Sequence, residues 1–72
     1  MVLSNQAMLV AILTVRIRNL EQHLMGNRRD TANRVKLQHF RDQRRKMLDY
    51  LRRESLKRFQ WTVNQLGLPV TA

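Results

Sequence analysis

A short polar segment near the middle of the chain contains the side chains with the clearest chemical potential. The segment brings together His23, the pair Arg28 and Arg29, and then Asp30 and Asn33. A carboxylate repels phosphate, but it accepts hydrogen bonds from the guanine amino group in the minor groove of a nucleic acid. Asp30, an acidic residue among cationic ones, therefore indicates selective contact with RNA. An equally good interpretation is that Asp30 only caps the start of a helix.

Other kinds of chemistry have little support in the sequence. Cysteine is absent, and the two histidines, His23 and His39, are sixteen residues apart with no third residue at a metal-ligand spacing. No glycine-rich loop of the kind that holds phosphate groups is present. We therefore expect no enzymatic activity, no metal, no cofactor and no small-molecule substrate.

The positive charge is large and confined to the middle of the chain. Fourteen Lys and Arg residues stand against five Asp and Glu, which gives a formal net charge of +9 at pH 7. All charged side chains lie between Arg16 and Arg58. Such an excess favours an anionic partner, with nucleic acid as the first candidate and anionic lipid as the second.

Helices are the elements that must position these side chains. The spacing of apolar residues predicts helices over about 5–25, 31–53 and 56–66. The expected fold class is all-α, a three-helix bundle with a long helical hairpin and a short C-terminal helix. The whole chain, 1–72, is expected to form one domain.

Apolar residues recur at steps of three and four, as on one face of a helix. The first stripe is Leu9, Leu13, Ile17, Leu20 and Leu24. The second is Leu37, Phe40, Met47, Leu48 and Leu51, and the third is Leu56, Phe59, Val63 and Leu66. These stripes should form the core. The apolar run 8–13 is too short to span a bilayer and should be a helix end buried on most sides.

The helix ends have recognisable cap residues. Asp30 or Thr31 is expected to cap the second helix and Ser55 the third. Gly26 with Asn27 should end the first helix, because glycine adopts the left-handed conformation without steric cost. Gly67, followed by Pro69, should end the third helix in the same way.

The second helix is predicted to have a cationic side. At 100° per residue, four arginines fall close together, roughly 100° from the centre of the apolar stripe: Arg34, Arg41, Arg45 and Arg52. Tyr50 lies off the apolar stripe, so its hydroxyl is available to RNA or to a neighbouring protein. A rigid helical surface of this kind can contact the phosphates and wide minor groove of A-form RNA.

From Thr14 onward the sequence resembles the family of small-subunit ribosomal protein fifteen. The resemblance lies in "LTVRIRNLEQHL" at 13–24, the Arg28-Arg29-Asp30 turn, "QRRKMLDYLRR" at 43–53 and "LGL" at 66–68. The register is ungapped from about residue 11 to residue 68.

The resemblance implies a helical bundle that binds a three-way junction in the central domain of small-subunit ribosomal RNA. It also implies an early role in assembly of the subunit platform among neighbouring small-subunit proteins, and a bridge to large-subunit ribosomal RNA. The family's His, Asp and Ser that contact a guanine-rich minor groove match His23, Asp30 and, with a change, Asn33. A family tyrosine and basic pair match Tyr50, Arg44 and Arg45.

The sequence also departs from the family pattern. A further amino-terminal helix of the family is missing, and its Thr-Gly-Ser loop and following Gln would fall at Leu3, Ser4, Asn5 and Leu9. Arg16 is the remaining candidate for a phosphate contact near that site. The usual His-His-Ser appears as Thr31-Ala32-Asn33. This drift suggests an organellar ribosome, mitochondrial first, with the bacterial cytoplasm or a plastid as alternatives.

Two other functions fit a small basic helical chain. A helix-turn-helix DNA-binding regulator is the main alternative, but its specificity would come from one short helix, whereas these arginines span several faces. A basic amphipathic helix on a membrane surface is the other.

Overall fold

The computed structural model describes residues 5–68, which form three α-helices: α1 (Asn5–Gly26), α2 (Thr31–Glu54) and α3 (Leu56–Leu66). A four-residue turn joins α1 to α2, so these two helices form an antiparallel hairpin, against which α3 folds back. The molecule measures 40 × 21 × 17 Å. The expected all-α bundle is confirmed. No helix among the described residues is both long and apolar enough to cross a membrane.

Side-chain caps begin α2 and α3 as the sequence predicted. Asp30 precedes α2, and its Oδ1 accepts a hydrogen bond of 3.2 Å from the backbone N–H of Asn33. Ser55 separates the other two helices. Its own N–H donates to the carbonyl of Leu51 at 2.8 Å, and its Oγ accepts from the N–H of Arg58 at 3.3 Å. Each cap satisfies a backbone donor that has no partner within the helix.

The end of α3 is a glycine cap. Gly67 has a φ of 65°, and its N–H donates to the carbonyl of Asn64 at 3.3 Å. The N–H of Leu68 reaches the carbonyl of Val63 at 3.0 Å, which completes a Schellman motif. The left-handed cap predicted at Gly67 is therefore confirmed. Pro69 lies outside the described residues.

The left-handed cap predicted at Gly26 is wrong. Gly26 is the last residue of α1 itself, and within residues 5–68 only Gly67 has a positive φ. Asn27 ends the helix instead. Its Nδ2 donates to the carbonyl of His23 at 3.0 Å and its backbone N–H to that of Leu24 at 3.3 Å. A side-chain amide thus supplies the donor for a free carbonyl, so a left-handed glycine is not required.

The core lies along the line where the three helices meet. Its buried apolar residues are Ala7, Val10, Leu13 and Ile17 of α1, Leu37 and Leu51 of α2, and Val63 of α3. Two threonines are also buried, and each hydroxyl donates to a carbonyl one turn earlier, Thr14 to Val10 and Thr62 to Arg58, both at 2.7 Å. These bonds remove the cost of burying a hydroxyl.

Part of the predicted apolar stripe of α1 is wrong. Leu9 is 47% exposed, whereas the next residue, Val10, is completely buried. Met8 and Ile12 are also about half exposed, so the run 8–13 is not buried on most sides. Every residue of this run is apolar, and hydrophobic periodicity therefore could not show which side of the helix faces the core.

The stripes of α2 and α3 are confirmed in part. Leu37, Leu51 and Val63 are buried, and Phe40 and Phe59 are half-buried at the edge of the core. Leu56, by contrast, is 56% exposed. It is the first residue of α3, directly after the cap.

Candidate nucleic-acid interface

The polar residues at the turn of the hairpin form one hydrogen-bonded cluster. Asp30 Oδ2 lies 2.8 Å from His23 Nε2 and 2.6 Å from Asn33 Nδ2. Asn33 Nδ2 also lies 3.3 Å from His23 Nε2. The end of α1 supplies the histidine, the N-cap of α2 supplies the aspartate, and the first turn of α2 supplies the asparagine. Because both helix ends are fixed by caps, the three side chains are held together before any partner binds.

The Asp30 carboxylate is stabilised in its charged form. The hydrogen bond from His23 makes the largest contribution, and the side-chain and backbone N–H groups of Asn33 add to it. Together they hold the pKa of Asp30 below its usual range. The carboxylate is therefore ionised at neutral pH and serves only as an acceptor.

Counting lone pairs shows what this cluster still offers to a ligand. Asp30 Oδ2 already accepts two hydrogen bonds, whereas Oδ1 accepts one and has capacity for another. The side-chain oxygen of Asn33 adds a second acceptor. When His23 donates from Nε2, its Nδ1 is an acceptor in the neutral ring. Apart from the second N–H of Asn33 Nδ2, the free positions of the cluster are thus acceptors, which suit donors such as the guanine amino group.

The hairpin has two sides with different compositions. On one side a shallow groove is lined by Arg16, Asn19, Leu20, Lys36 and Phe40. The guanidinium of Arg16 lies 5.8 Å from the centre of the Phe40 ring, within the range of a cation–π contact. On the other side the groove is lined mainly by Glu21, Leu24, Met25, Leu37 and Arg41, with Arg28 at its end.

The first side carries most of the residues with selective chemistry. His23 follows Arg16 by seven residues, nearly two turns, and therefore projects from the same side of α1. Tyr50 follows Lys36 by fourteen residues, nearly four turns, and shares its side of α2. We call this side the histidine face and define it by the following residues: Arg16, His23, Asp30, Asn33, Lys36 and Tyr50.

The predicted cationic residues lie on the opposite side. Arg41 precedes Tyr50 by nine residues, two and a half turns, so their side chains leave α2 in opposite directions. Arg34 and Arg45 share the direction of Arg41 to within about 40°, and all three are exposed. We call Arg34, Arg41 and Arg45 the arginine face. Arg52 shares their helical direction, but it also borders a depression beside Tyr50.

Two residues of the arginine face have partners within the protein. Arg41 Nη2 lies 2.8 Å from Glu21 Oε2, and both side chains are about half exposed. Arg34 donates to the backbone carbonyl oxygen of Arg28 in the turn. Arg28 and Arg29 themselves are exposed. Among the described residues Arg45 has no hydrogen-bond or ion-pair partner.

Arg44 occupies a different position from its neighbours. It is half-buried where α1 and α2 meet, and its Nη1 lies 3.5 Å from the hydroxyl of buried Thr14. Burial is the main reason why the pKa of Arg44 lies below its usual range; nearby Arg41 and Arg18 also lower it, and Glu21 opposes them. The structure thus places Arg44 partly in the core rather than fully on a surface.

The predicted site residues therefore do not form one surface. His23, Asp30 and Asn33 are brought together, and Arg16 and Tyr50 lie farther along the same face. Sequence analysis missed Lys36 on that face, although its rotational position on the helix could have indicated it. It also missed Arg18, whose Nη2 donates to the carbonyl of Leu66 at 2.9 Å and fastens the end of α3 to α1. No sequence pattern marks such a long-range bond.

This fold and site define a class of molecule: a three-helix protein that is rich in arginine and has hydrogen-bond acceptors at the tip of its helical hairpin. Comparison with known proteins identifies the family. The family model described as Ribosomal protein S15 matches residues 5–69, so the chain belongs to this family. The resemblance drawn from the sequence motifs is confirmed.

A curated relative supports the same conclusion. The small ribosomal subunit protein uS15 of Hamiltonella defensa subsp. Acyrthosiphon pisum (strain 5AT) is 37% identical over 59 residues. The match covers 82% of this chain and 66% of the relative. The chain thus spans just under two thirds of the relative's length.

Proposed function

We propose that this protein is a structural constituent of the small ribosomal subunit that binds a three-way junction in the central domain of the ribosomal RNA. Membership of the ribosomal protein S15 family supports the ribosomal role. The observation that carries the RNA-binding proposal is the preformed cluster of His23, Asp30 and Asn33 at the tip of the hairpin. The role is structural, without a catalytic step.

The tip recognises the RNA through the minor groove. In A-form RNA this groove is wide and shallow, so the end of a helical hairpin can approach the base edges. A guanine amino group donates to the free lone pair of Asp30 Oδ1, and 2′-hydroxyl groups donate to Asn33 and His23. A pair of A and U offers only acceptors in this groove, which would face the acceptors of the tip.

Cations of the histidine face fix the position of the tip on the RNA. Arg16 and Lys36 contact phosphates on either side of the groove that Phe40 borders. Contacts of this kind supply affinity and orientation but do not distinguish sequences. Tyr50, which is 39% exposed, lies beyond them and contacts the RNA with its ring and hydroxyl. Selectivity thus comes from the tip and affinity mostly from charge.

The junction contact at the start of the family's pattern is not retained in the same form. Leu3 and Ser4 lie outside the described residues. Asn5 and Leu9 are exposed in the first turns of α1, but a leucine side chain cannot form the hydrogen bonds of the glutamine that the family has there. We propose that Arg16 provides the nearest contact to this part of the junction.

Assembly and location follow from the same proposal. By holding the junction in one geometry, the protein assists assembly of the platform, contacts neighbouring small-subunit proteins and helps form a bridge to large-subunit ribosomal RNA. Its place of action is the ribosome. A mitochondrial location stays a prediction, and the relative described above comes from a bacterium.

Two measurements test the function. The affinity of the full chain for the junction RNA is compared with that for duplex DNA of equal length at the same salt concentration, and we expect tighter binding to the RNA. Co-sedimentation with small subunits after a high-salt wash then tests retention in the particle. Equal affinity for DNA, or complete release by a wash that other core proteins survive, would contradict the proposal.

A further inference from the structure

We propose that the outward side of α1 is a docking surface for one α-helix of another protein, whose contact residues are apolar and uncharged. We call this surface the apolar seam and define it by the following residues: Asn5, Met8, Ile12, Val15 and Asn19. The inference goes beyond the proposed function, because it concerns a protein partner and a surface that the RNA-binding proposal does not use.

The apolar seam points directly away from the other two helices. At 100° per residue, Met8, Ile12 and Val15 lie within about 60° of one another around α1 and roughly 180° from buried Val10 and Ile17. The three residues of the seam are 49%, 46% and 55% exposed. They thus form an apolar helix surface that the described part of the chain leaves open to solvent.

The spacing of the seam fits a second helix. Its five residues follow one another at steps of three, four, three and four, which is the heptad pattern of a contact between two helices. From Asn5 to Asn19 the seam extends over about 21 Å, at 1.5 Å per residue. These two asparagines close its ends, and an asparagine at such a position fixes the register of the partner helix. Within residues 5–68 neither amide makes a side-chain hydrogen bond.

Charge distinguishes the seam from the rest of the surface. Residues 1–15 carry no charged side chain, although the whole chain has a net charge of +9. Binding to a phosphate backbone requires cations, and binding to unpaired bases requires aromatic rings on which they stack. The seam contains neither type of residue. A partner that matches this surface is therefore apolar and uncharged where it touches α1.

The size of the seam argues against a second copy of the chain as the occupant. Three half-exposed apolar side chains offer far less than the roughly 800 Å² per partner of a stable interface between two proteins. A second copy would also bring another net charge of +9 close to the first. A partner that other contacts already hold nearby, as in a large assembly, does not need so large an interface.

The flanks of the seam argue against a lipid surface. A helix that lies on a membrane needs Lys or Arg beside its apolar residues. The first charged residue of the chain is Arg16, so only one end of the seam has a cation beside it. An apolar helix of another protein is thus the occupant that agrees with the spacing, the size and the charge of the seam.

Photo-cross-linking in cells that express the full chain tests the inference. The photoreactive amino acid p-benzoylphenylalanine replaces Met8, and ultraviolet light joins it to the molecule that touches the seam. Mass spectrometry then identifies the adduct and maps the joined residue. The same amino acid at Val35 is the matched control, because Val35 is an apolar residue of α2 that is 65% exposed. Thermal unfolding establishes that each variant is folded.

We expect the Met8 position, but not the Val35 position, to join one other protein at a helix whose apolar residues are spaced by three and four. Ile12→Gln/Val15→Gln should lower the yield of this adduct about tenfold, because two apolar side chains leave the contact. Val35→Gln/Leu56→Gln removes exposed apolar groups from α2 and α3 and should leave the yield unchanged. An adduct with RNA, lipid or a second copy, an adduct with no such helix, or no adduct would overturn the inference. Equal loss of yield in both double variants would overturn it too.

The same cells separate this inference from the proposed function. If the chain does not sediment with small subunits but the seam still joins a helix of another protein, the proposed function is wrong and the inference stands. If the chain sediments with small subunits and the seam joins RNA, the inference is wrong and the proposed function is unaffected. Ile12→Gln/Val15→Gln should bind the junction RNA as tightly as the wild type does.

Discussion

Replacing Arg44 with methionine should stabilise the free protein even though it removes a hydrogen bond. Burial lowers the pKa of Arg44, which means that its charge is less favourable in the folded chain than in the unfolded chain. Its bond to Thr14 is long, at 3.5 Å. The Thr14 hydroxyl also donates to the carbonyl of Val10, so it keeps a partner after the substitution.

The size of the effect follows from the half-buried position. Exchanging buried ion pairs for apolar groups of similar volume is often neutral or stabilises proteins by about 1–4 kcal/mol. Solvent screens a half-exposed group, so the lower end, about 1 kcal/mol, applies here. In a domain of this size that corresponds to a rise in Tm of about 4–8 °C. Methionine suits the position because its flexible chain fills the space of the arginine stem.

Thermal unfolding followed by circular dichroism measures this change, and Arg45→Met is the matched control. Arg45 is exposed and has no partner among the described residues, so its replacement should shift Tm by less than 2 °C, or about 0.3 kcal/mol. A lower Tm for Arg44→Met than for Arg45→Met would refute the reasoning, because it would mean that the charge of Arg44 stabilises the contact between α1 and α2.

Three further predictions concern the core, a cap and the tip. Val10→Ala should lower the free energy of unfolding by about 2 kcal/mol, whereas Leu9→Ala should lower it by less than about 0.5 kcal/mol, as measured by urea unfolding. Equal losses would mean that Leu9 also packs in the core. Gly67→Ala should cost about 1 kcal/mol in the same assay because of its positive φ, and no loss would contradict the left-handed cap. The lowered pKa of Asp30 means that its ionised carboxylate stabilises the folded state. This contribution is complete above the pKa of the unfolded state, about 3.9. It is lost as the pH falls through the lower pKa of the folded state. The difference in Tm between wild type and Asp30→Asn should therefore shrink below pH 4, and a difference that persists unchanged at pH 2 would contradict this.

Local sequence signals predicted the helices and most of their ends. Asp30, Ser55 and Gly67 cap the helices where expected, because each interaction depends only on residues within one turn or slightly more. Gly26 shows the limit of such signals. Asn27 satisfies the free carbonyl of His23, and a glycine next to that residue has no need of the left-handed conformation.

The orientation of α1 could not be predicted in the same way. From Met8 to Leu13 every residue is apolar, so several faces of the helix are equally hydrophobic. Contacts with α2 and α3 decide that Val10 is buried and Leu9 is not. The position of Arg44 likewise depends on Thr14, thirty residues earlier in the chain.

The candidate site was predicted residue by residue but not as a shape. The polar types around the turn indicated that His23, Asp30 and Asn33 would meet, since a short turn brings both helix ends together. Their mutual hydrogen bonds, and the separation of Arg41 from Tyr50 on opposite sides of α2, required the rotation of each helix about its axis. That rotation is set by packing of the whole bundle.

Replacement of guanosine by inosine in the RNA, which removes only the minor-groove amino group, tests the central claim most directly. The affinities of both RNAs are measured for the wild type, for Asp30→Ala and for Asp42→Ala, which removes an equal charge from another part of α2. We predict that the wild type and Asp42→Ala bind the guanosine RNA about tenfold more tightly than the inosine RNA, and that Asp30→Ala binds both alike. If Asp30→Ala keeps the full preference for guanosine, the tip cluster does not recognise the RNA.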